Sequence, residues 1–248
     1  MAGKNGYYKI EARGVPYKEL NEQIKKAAHD GKKKIKLVHV NGQRYIGSNL
    51  SDDIEIMIEG IPGNDLGAFM KGPRIVVKGN AQDGIGNTMD KGEIVVHGHA
   101  GDIAGYSSRG GRILIRDTVG YRVGIHMKEY MDKAPVIVIG KAAQDFLGEY
   151  MAGGVLIVIG IGEKKVDASF VGTGMHGGVI YLGADIRKSQ VGKEVGIMDL
   201  NDKDRKVLKK HITYFARQFS MDSEELLARK FQKLLPVSSR PYGKLYAY

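Results

Sequence analysis

The chain has 248 residues, of which 42% are hydrophobic, with 35 glycines, no cysteine and a formal net charge of +10. Length and apolar content allow one large core or two small ones. The lack of cysteine excludes a disulfide scaffold, a thiolate zinc site or an iron–sulfur cluster held by this chain.

No segment reaches the roughly 20 consecutive apolar residues of a membrane-spanning helix. Met1-Ala2-Gly3-Lys4-Asn5-Gly6 leads into polar sequence without an apolar leader core, so the expectation is a cytoplasmic protein with no membrane partner. The basic excess gathers in Lys32-Lys33-Lys34, Lys36 and the stretch from Lys203 onward, where Asp202, Asp204, Glu224 and Glu225 are interleaved. That pattern reads as solvated helix faces or a dock for an acidic partner, and no nucleic-acid partner is expected.

In chain order, residues 7–15 are an extended start, carried by Tyr7-Tyr8-Lys9-Ile10-Glu11-Ala12. Pro16 then opens a helix, where its missing N–H costs nothing. Leu20, Ile24, Ala27 and Ala28 share one face of that helix, and Asp30-Gly31 ends it. Ile35–Val40 is a strand and is taken as the first coil.

From there the chain repeats. Apolar strands close at Gly60, Gly79, Gly98, Asp117, Gly140, Gly160 and Gly183, at spacings of 19, 19, 19, 23, 20 and 23. A fixed period of this length marks a solenoid, in which each unit buries its apolar face only by stacking on its neighbours. Nineteen residues at about 3.3 Å each give a contour of roughly 60 Å, which suits a parallel β-helix. The glycine-studded links are too short for crossover helices. The leucine/asparagine signature of leucine-rich repeats is missing, and 19 is not a multiple of six, as a hexapeptide β-helix would need. The predicted fold is an all-β solenoid, a right-handed parallel β-helix of about seven or eight coils with flanking N- and C-terminal helices. It divides into a cap over 1–32, coils over 33–187 and a C-terminal segment over 188–248.

A Met recurs at one place of the coil: Met70 and Met89 each stand five residues before a strand Ile, and Met151 and Met175 return in later coils. These read as a stacked interior ladder. Insertions at Lys128-Glu129-Tyr130-Met131 and near Gly162-Glu163-Lys164-Lys165 are expected to bulge outward on one face. Beyond the coils, Val207, Leu208, His211, Ile212, Phe215 and Phe219 follow helical spacing. A second helix is predicted from Asp222, with Glu225 completing a capping box, carrying Leu226, Leu227, Phe231, Leu234 and Leu235 until Pro236 stops it. Val237–Tyr248 reads as an extended arm.

The Gly84-Ile85-Gly86 and Gly172-Thr173-Gly174 patterns do not open helices, so they read as corners and not as phosphate cradles. His97 and His99 stand one residue apart without a carboxylate or thiol at ligand spacing. His126 and His176 have no assignable partner. Asp65, Asp83 and Asp102 recur in turns, where an aspartate bonds its own backbone, although stacked carboxylates could also hold calcium or act on a polysaccharide. No catalytic, cofactor-binding or metal-ligating residue is assigned.

The coil Gly101–Ile115, with its Gly105, Gly110 and Gly111, resembles the GXGXG-type β-helix domain at the C-terminal end of the glutamate synthase large subunit. It is also similar to the GXGXG-type subunit of formylmethanofuran dehydrogenase. The stretches Leu208–Tyr214 and Phe231–Pro236 are similar to the end of the glutamate synthase domain, from which Ser238-Ser239-Arg240 departs. The resemblance implies a non-catalytic scaffold subunit of a split glutamate synthase, since this chain has no cysteine to serve as glutaminase nucleophile. It implies partner subunits of two kinds, an FMN-domain synthase subunit and a class II glutamine amidotransferase. FMN and iron–sulfur clusters would sit on those partners and none on this chain. Self-association is left open. A subunit of a formylmethanofuran dehydrogenase-type complex and an independent carbohydrate-acting or carbohydrate-binding β-helix protein remain as alternatives.

Overall fold

The computed structural model of the chain describes residues 6–51 and 53–237, so most of the C-terminal arm, 238–248, lies outside the described residues. Strands β1 (Tyr8–Glu11), β2 (Lys34–Asn41), β3 (Glu55–Ile61), β4 (Lys71–Val77), β5 (Lys91–Val96), β6 (Arg112–Ile115), β7 (Val136–Ile139), β8 (Ala152–Val158) and β9 (Gly177–Leu182) pair in sequence order, each parallel to the next. The result is a parallel β-solenoid of about seven turns.

Register makes the strands stack in columns. Ile56, Ile75, Ile94, Ile113, Ile137, Leu156 and Ile180 lie directly over one another, and Ile58, Val77, Val96, Ile115, Ile139, Val158 and Leu182 form a second inward column two residues on. Both belong to the main core. Between them, Val76, Val95, Leu114, Val138, Ile157 and Tyr181 point outward and are buried under α2 (Asp202–Phe219), whose Leu208, Ile212, Phe215 and Ala216 cover them. Strands buried on both faces read as continuous apolar runs, which explains why these show no alternation.

The corners are built from alternate left-handed residues. In one coil Gly84, Gly86 and Thr88 have φ of 69°, 67° and 52°. This alternation turns successive amides up and down the stack: Gly84 and Thr88 donate forward to Asp102 and Tyr106, whereas Gly86 donates back to Leu66. In this corner all three amides find a partner on an adjacent coil, as buried backbone requires.

The Met column holds as an interior ladder. Met70, Met89, Met127, Met151 and Met175 are all buried, with Ser108 in the equivalent place between Met89 and Met127. The two insertions leave the coil at different points of its circuit, not on one face. The first follows Met127 and precedes β7; the second follows β8.

Three further features differ from the sequence expectations. The first rung is β1, which pairs with β2 ahead of the strand taken as the first coil. Helix α1 (Tyr17–His29) links the two and sends Leu20, Ile24, Ala27 and Ala28 into the core. The second C-terminal helix, α3, stops at Leu227 (Ser223–Leu227) and its cap is simpler than predicted, with Asp222 accepting only from Glu224 N. Phe231, Leu234 and Leu235 are not helical. Gln232–Pro236 forms β11, antiparallel to β9, with β10 (Val195–Met198) antiparallel to it in turn. The cause is the open edge of the last coil: β11 satisfies its ladder and delivers Leu234 to the core, and this outweighs helix propensity.

Candidate functional site

The recurring aspartates are engaged in stitching coils together. Asp83 Oδ1 accepts from Asp102 N at 2.9 Å, and Asp102 Oδ1 accepts from Tyr121 N at 2.8 Å. Asp145 Oδ1 takes Ser169 N at 2.7 Å, and Asp65 Oδ1 takes the side-chain amide of Asn87 at 3.0 Å. The turn carboxylates thus bond the next coil and not their own backbone, and Asp65 meets a side chain in place of a main-chain amide. Among the described residues, no group of three or more His, Asp or Glu gathers at metal-binding distance.

The histidines separate into different settings. His97, at the end of β5, packs edge-on against Phe219 at 5.1 Å between centroids. Burial lowers its pKa, and the nearby Lys78, Arg116 and Arg74 lower it further. His99 is exposed. His126 stacks on Tyr150 at 5.3 Å, and both border one groove with His176, Arg109 and Lys128.

A cavity of about 260 Å³ opens at the corner beside the second insertion. Leu147, Val158 and Leu182 are among its apolar lining residues, and Lys141, Glu163 and Lys165 among its polar ones. Lys141 is already paired with Asp117 at 3.1 Å. The other polar groups present no nucleophile hydrogen-bonded to a base, the geometry on which acyl or glycosyl chemistry depends.

Two polar clusters were missed by the sequence reading. Asp204, in the first turn of α2, accepts from Tyr181 Oη at 2.7 Å, Lys233 Nζ at 2.8 Å and Asn201 N at 2.8 Å. Burial pushes its carboxyl up, but Lys233, Asn201 N–H and Tyr181 outweigh that and leave it below the usual carboxylate range. This cluster ties the last coil, α2 and β11 together. The second cluster is a ladder at strand entry: Arg74 binds Glu55 at 2.9 Å and Glu93 at 3.0 Å, and Arg112 binds Glu93 at 3.3 Å. Tyr214 Oη donates to Glu93 and Gln218 accepts from Arg74, so the ladder anchors α2. Its signal was present as Glu and Arg alternating at 19-residue intervals. Both clusters join elements; neither faces an open site with a free acid and base.

A model of the GXGXG motif family matches residues 19–239, from α1 through the coils, α2 and β11. The chain belongs to the GXGXG motif family. This is the family of the C-terminal domain of the glutamate synthase large subunit. An uncharacterized protein of Methanocaldococcus jannaschii is 50% identical to this GXGXG chain over 248 aligned positions, covering 96% of this chain and 95% of that protein. None of the helices in the described part is long and apolar enough to cross a membrane.

Proposed function

We propose that this chain is a non-catalytic scaffold subunit of a split glutamate synthase, the enzyme that forms glutamate from glutamine and 2-oxoglutarate. The observation that carries the reading is the extent of the family match, which runs past the coils through α2 and β11. The geometry supports it. The carboxylates, the buried lysine and the strand-entry arginines are spent holding coil to coil and helix to sheet, which makes a stiff body and not a reaction centre.

In this reading the chain works in the cytoplasm and braces an FMN-carrying synthase subunit against a class II glutamine amidotransferase subunit. FMN and iron–sulfur clusters reside on those partners. The test is co-expression of all three chains with and without this one. With it, the partners co-elute as one complex and form glutamate from glutamine; without it, glutamine-dependent synthesis falls while each partner's separate activity persists. Equal glutamine-dependent rates in both preparations overturn the proposal.

A further inference from the structure

The first insertion is built as a fixed knuckle. Tyr130 and Lys133 exchange backbone hydrogen bonds of 3.0 Å in both directions. Lys133 Nζ reaches Asp90 at 2.7 Å, and Glu129 accepts from Gly154 N at 2.9 Å. The Arg109 guanidinium lies 6.0 Å from the Tyr130 ring centroid. At the tip, Met131 has a left-handed φ of 55° and is 84% exposed, more than any other large hydrophobic side chain among the described residues. A methionine in that region costs about 1–2 kcal/mol of backbone strain, and its side chain recovers nothing from burial.

Shallow grooves flank the knuckle. One, of about 440 Å³, is bordered by Phe69, Lys71, Arg109 and Lys133. The other, of about 420 Å³, is bordered by Tyr106, Arg109, His126, Lys128 and Tyr150. Phe69, Tyr106 and Tyr150 are all substantially exposed. Of the acidic groups here, Asp90 is engaged by Lys133 and Glu129 by Gly154 N, while Asp132 stands exposed beside Met131. The tip is therefore apolar with one carboxylate beside it, and the grooves carry the cations Lys71, Arg109 and Lys128.

We propose that the Met131 knuckle and its two grooves dock an acidic face of a partner protein, with Met131 seated in an apolar pocket and Lys71, Arg109 and Lys128 meeting carboxylates around it. The proposal rests on the scaffold reading for the existence of a stable complex, and adds which surface makes it. Exposed apolar anchors rimmed by charge are the usual anatomy of such contacts. A second copy is the poorer fit, because two-fold pairing would set Arg109 and Lys128 against like charges. Nucleic acid is also the poorer fit: an exposed methionine at the tip suits an apolar pocket and not a phosphate backbone, and His126 already stacks on the Tyr150 ring at 12°.

The test uses the full-length tagged chain in its native host, with a photoreactive benzoylphenylalanine in place of Met131. The expected cross-link is to an Asp- or Glu-rich segment of a partner protein. Met131→Asp should weaken retention of that partner about tenfold, and Arg109→Glu with Lys128→Glu about a hundredfold. Lys165→Glu, beside the other cavity, should leave retention unchanged, and unaltered melting temperatures would show that all the variants fold. Cross-links to nucleic acid or to a second copy overturn the proposal. So does undiminished retention by the Met131 and Arg109/Lys128 variants, which would leave the scaffold reading standing. A wild-type chain that retains no partner removes both.

Discussion

The terminal methyl of Met89 reaches to 2.7 Å from the point where a Cβ would stand on Gly111, one coil further on. Met70 and Gly92, Met127 and Gly154, and Met151 and Gly178 stand in the same relation. Where the ladder has a shorter residue, Leu50 or Ser108, the equivalent position on the next coil is a proline, Pro73 or Pro135. A long side chain faces bare backbone and a side chain of shorter reach faces a proline ring, so the space between coils is filled in both cases.

This pairing predicts a size exchange. Ser108→Met alone should destabilise by about 1–3 kcal/mol, because the new side chain meets Pro135 in place of a glycine. Pro135→Gly alone should cost about 1 kcal/mol or more through a freer unfolded chain. The double variant should be more stable than the sum of the two by at least about 1 kcal/mol. Urea unfolding of the four proteins measures the coupling, and strict additivity would refute the pairing.

A second steric rule governs the corners. A Cβ on Gly86 would stand 2.5 Å from the δ-methyl of Ile113, and φ there is 67°. Gly86→Ala should cost about 2–4 kcal/mol from strain and overpacking together. Ile113→Val in that background should recover part of the loss. Thr88→Gly, two residues on at φ 52°, should change stability by less than about 1 kcal/mol, since relief of strain offsets lost chain stiffness. Denaturant midpoints compare the three.

His211 on α2 is buried, its Nδ1 without a hydrogen-bond partner. Burial, together with Lys210 and Arg112, lowers its pKa to about 4. The unfolded chain, titrating near 6.5, then binds more protons than the folded one between those values. Stability from neutral His211 is fully present above about pH 6.5 and is lost as pH falls toward about 4, by at most ~3 kcal/mol. Melting curves from pH 7 to 4 should show this decline in the wild type and a flatter profile in His211→Gln. Parallel profiles would contradict the assignment.

Asp204 and Lys233 form a nearly solvent-free pair. Asp204→Asn should cost about 3–5 kcal/mol, because it leaves a buried lysine without its counter-charge. Asp204→Leu with Lys233→Met should cost much less than that single change. Unfolding of both by urea decides the point.

The coils were legible because the strands close at a glycine, with Asp117 the exception, and the interval between closures stays between 19 and 23 residues. The ends were not. Tyr8–Glu11 is too short to announce itself as a rung, and Phe231–Leu235 carries a helical spacing that the unpaired edge of β9 overrides. The strands' outward apolar column was visible, but nothing local said that α2 would cover it. The same limit applies to the docking face. Lys71, Arg109 and Lys128 each follow a ladder residue by one position, Met70, Ser108 and Met127. Only the folded coil shows that this register sets them beside Phe69, Tyr106 and Tyr150.

The most direct test of the scaffold account is the composition of the complex that forms around the tagged full-length chain in its native host, read by mass spectrometry and flavin absorbance. The account predicts recovery of an FMN-bearing synthase subunit and a class II glutaminase subunit in fixed ratio to this chain. Recovery of a pterin–metal subunit in their place, or of the chain by itself, would contradict it.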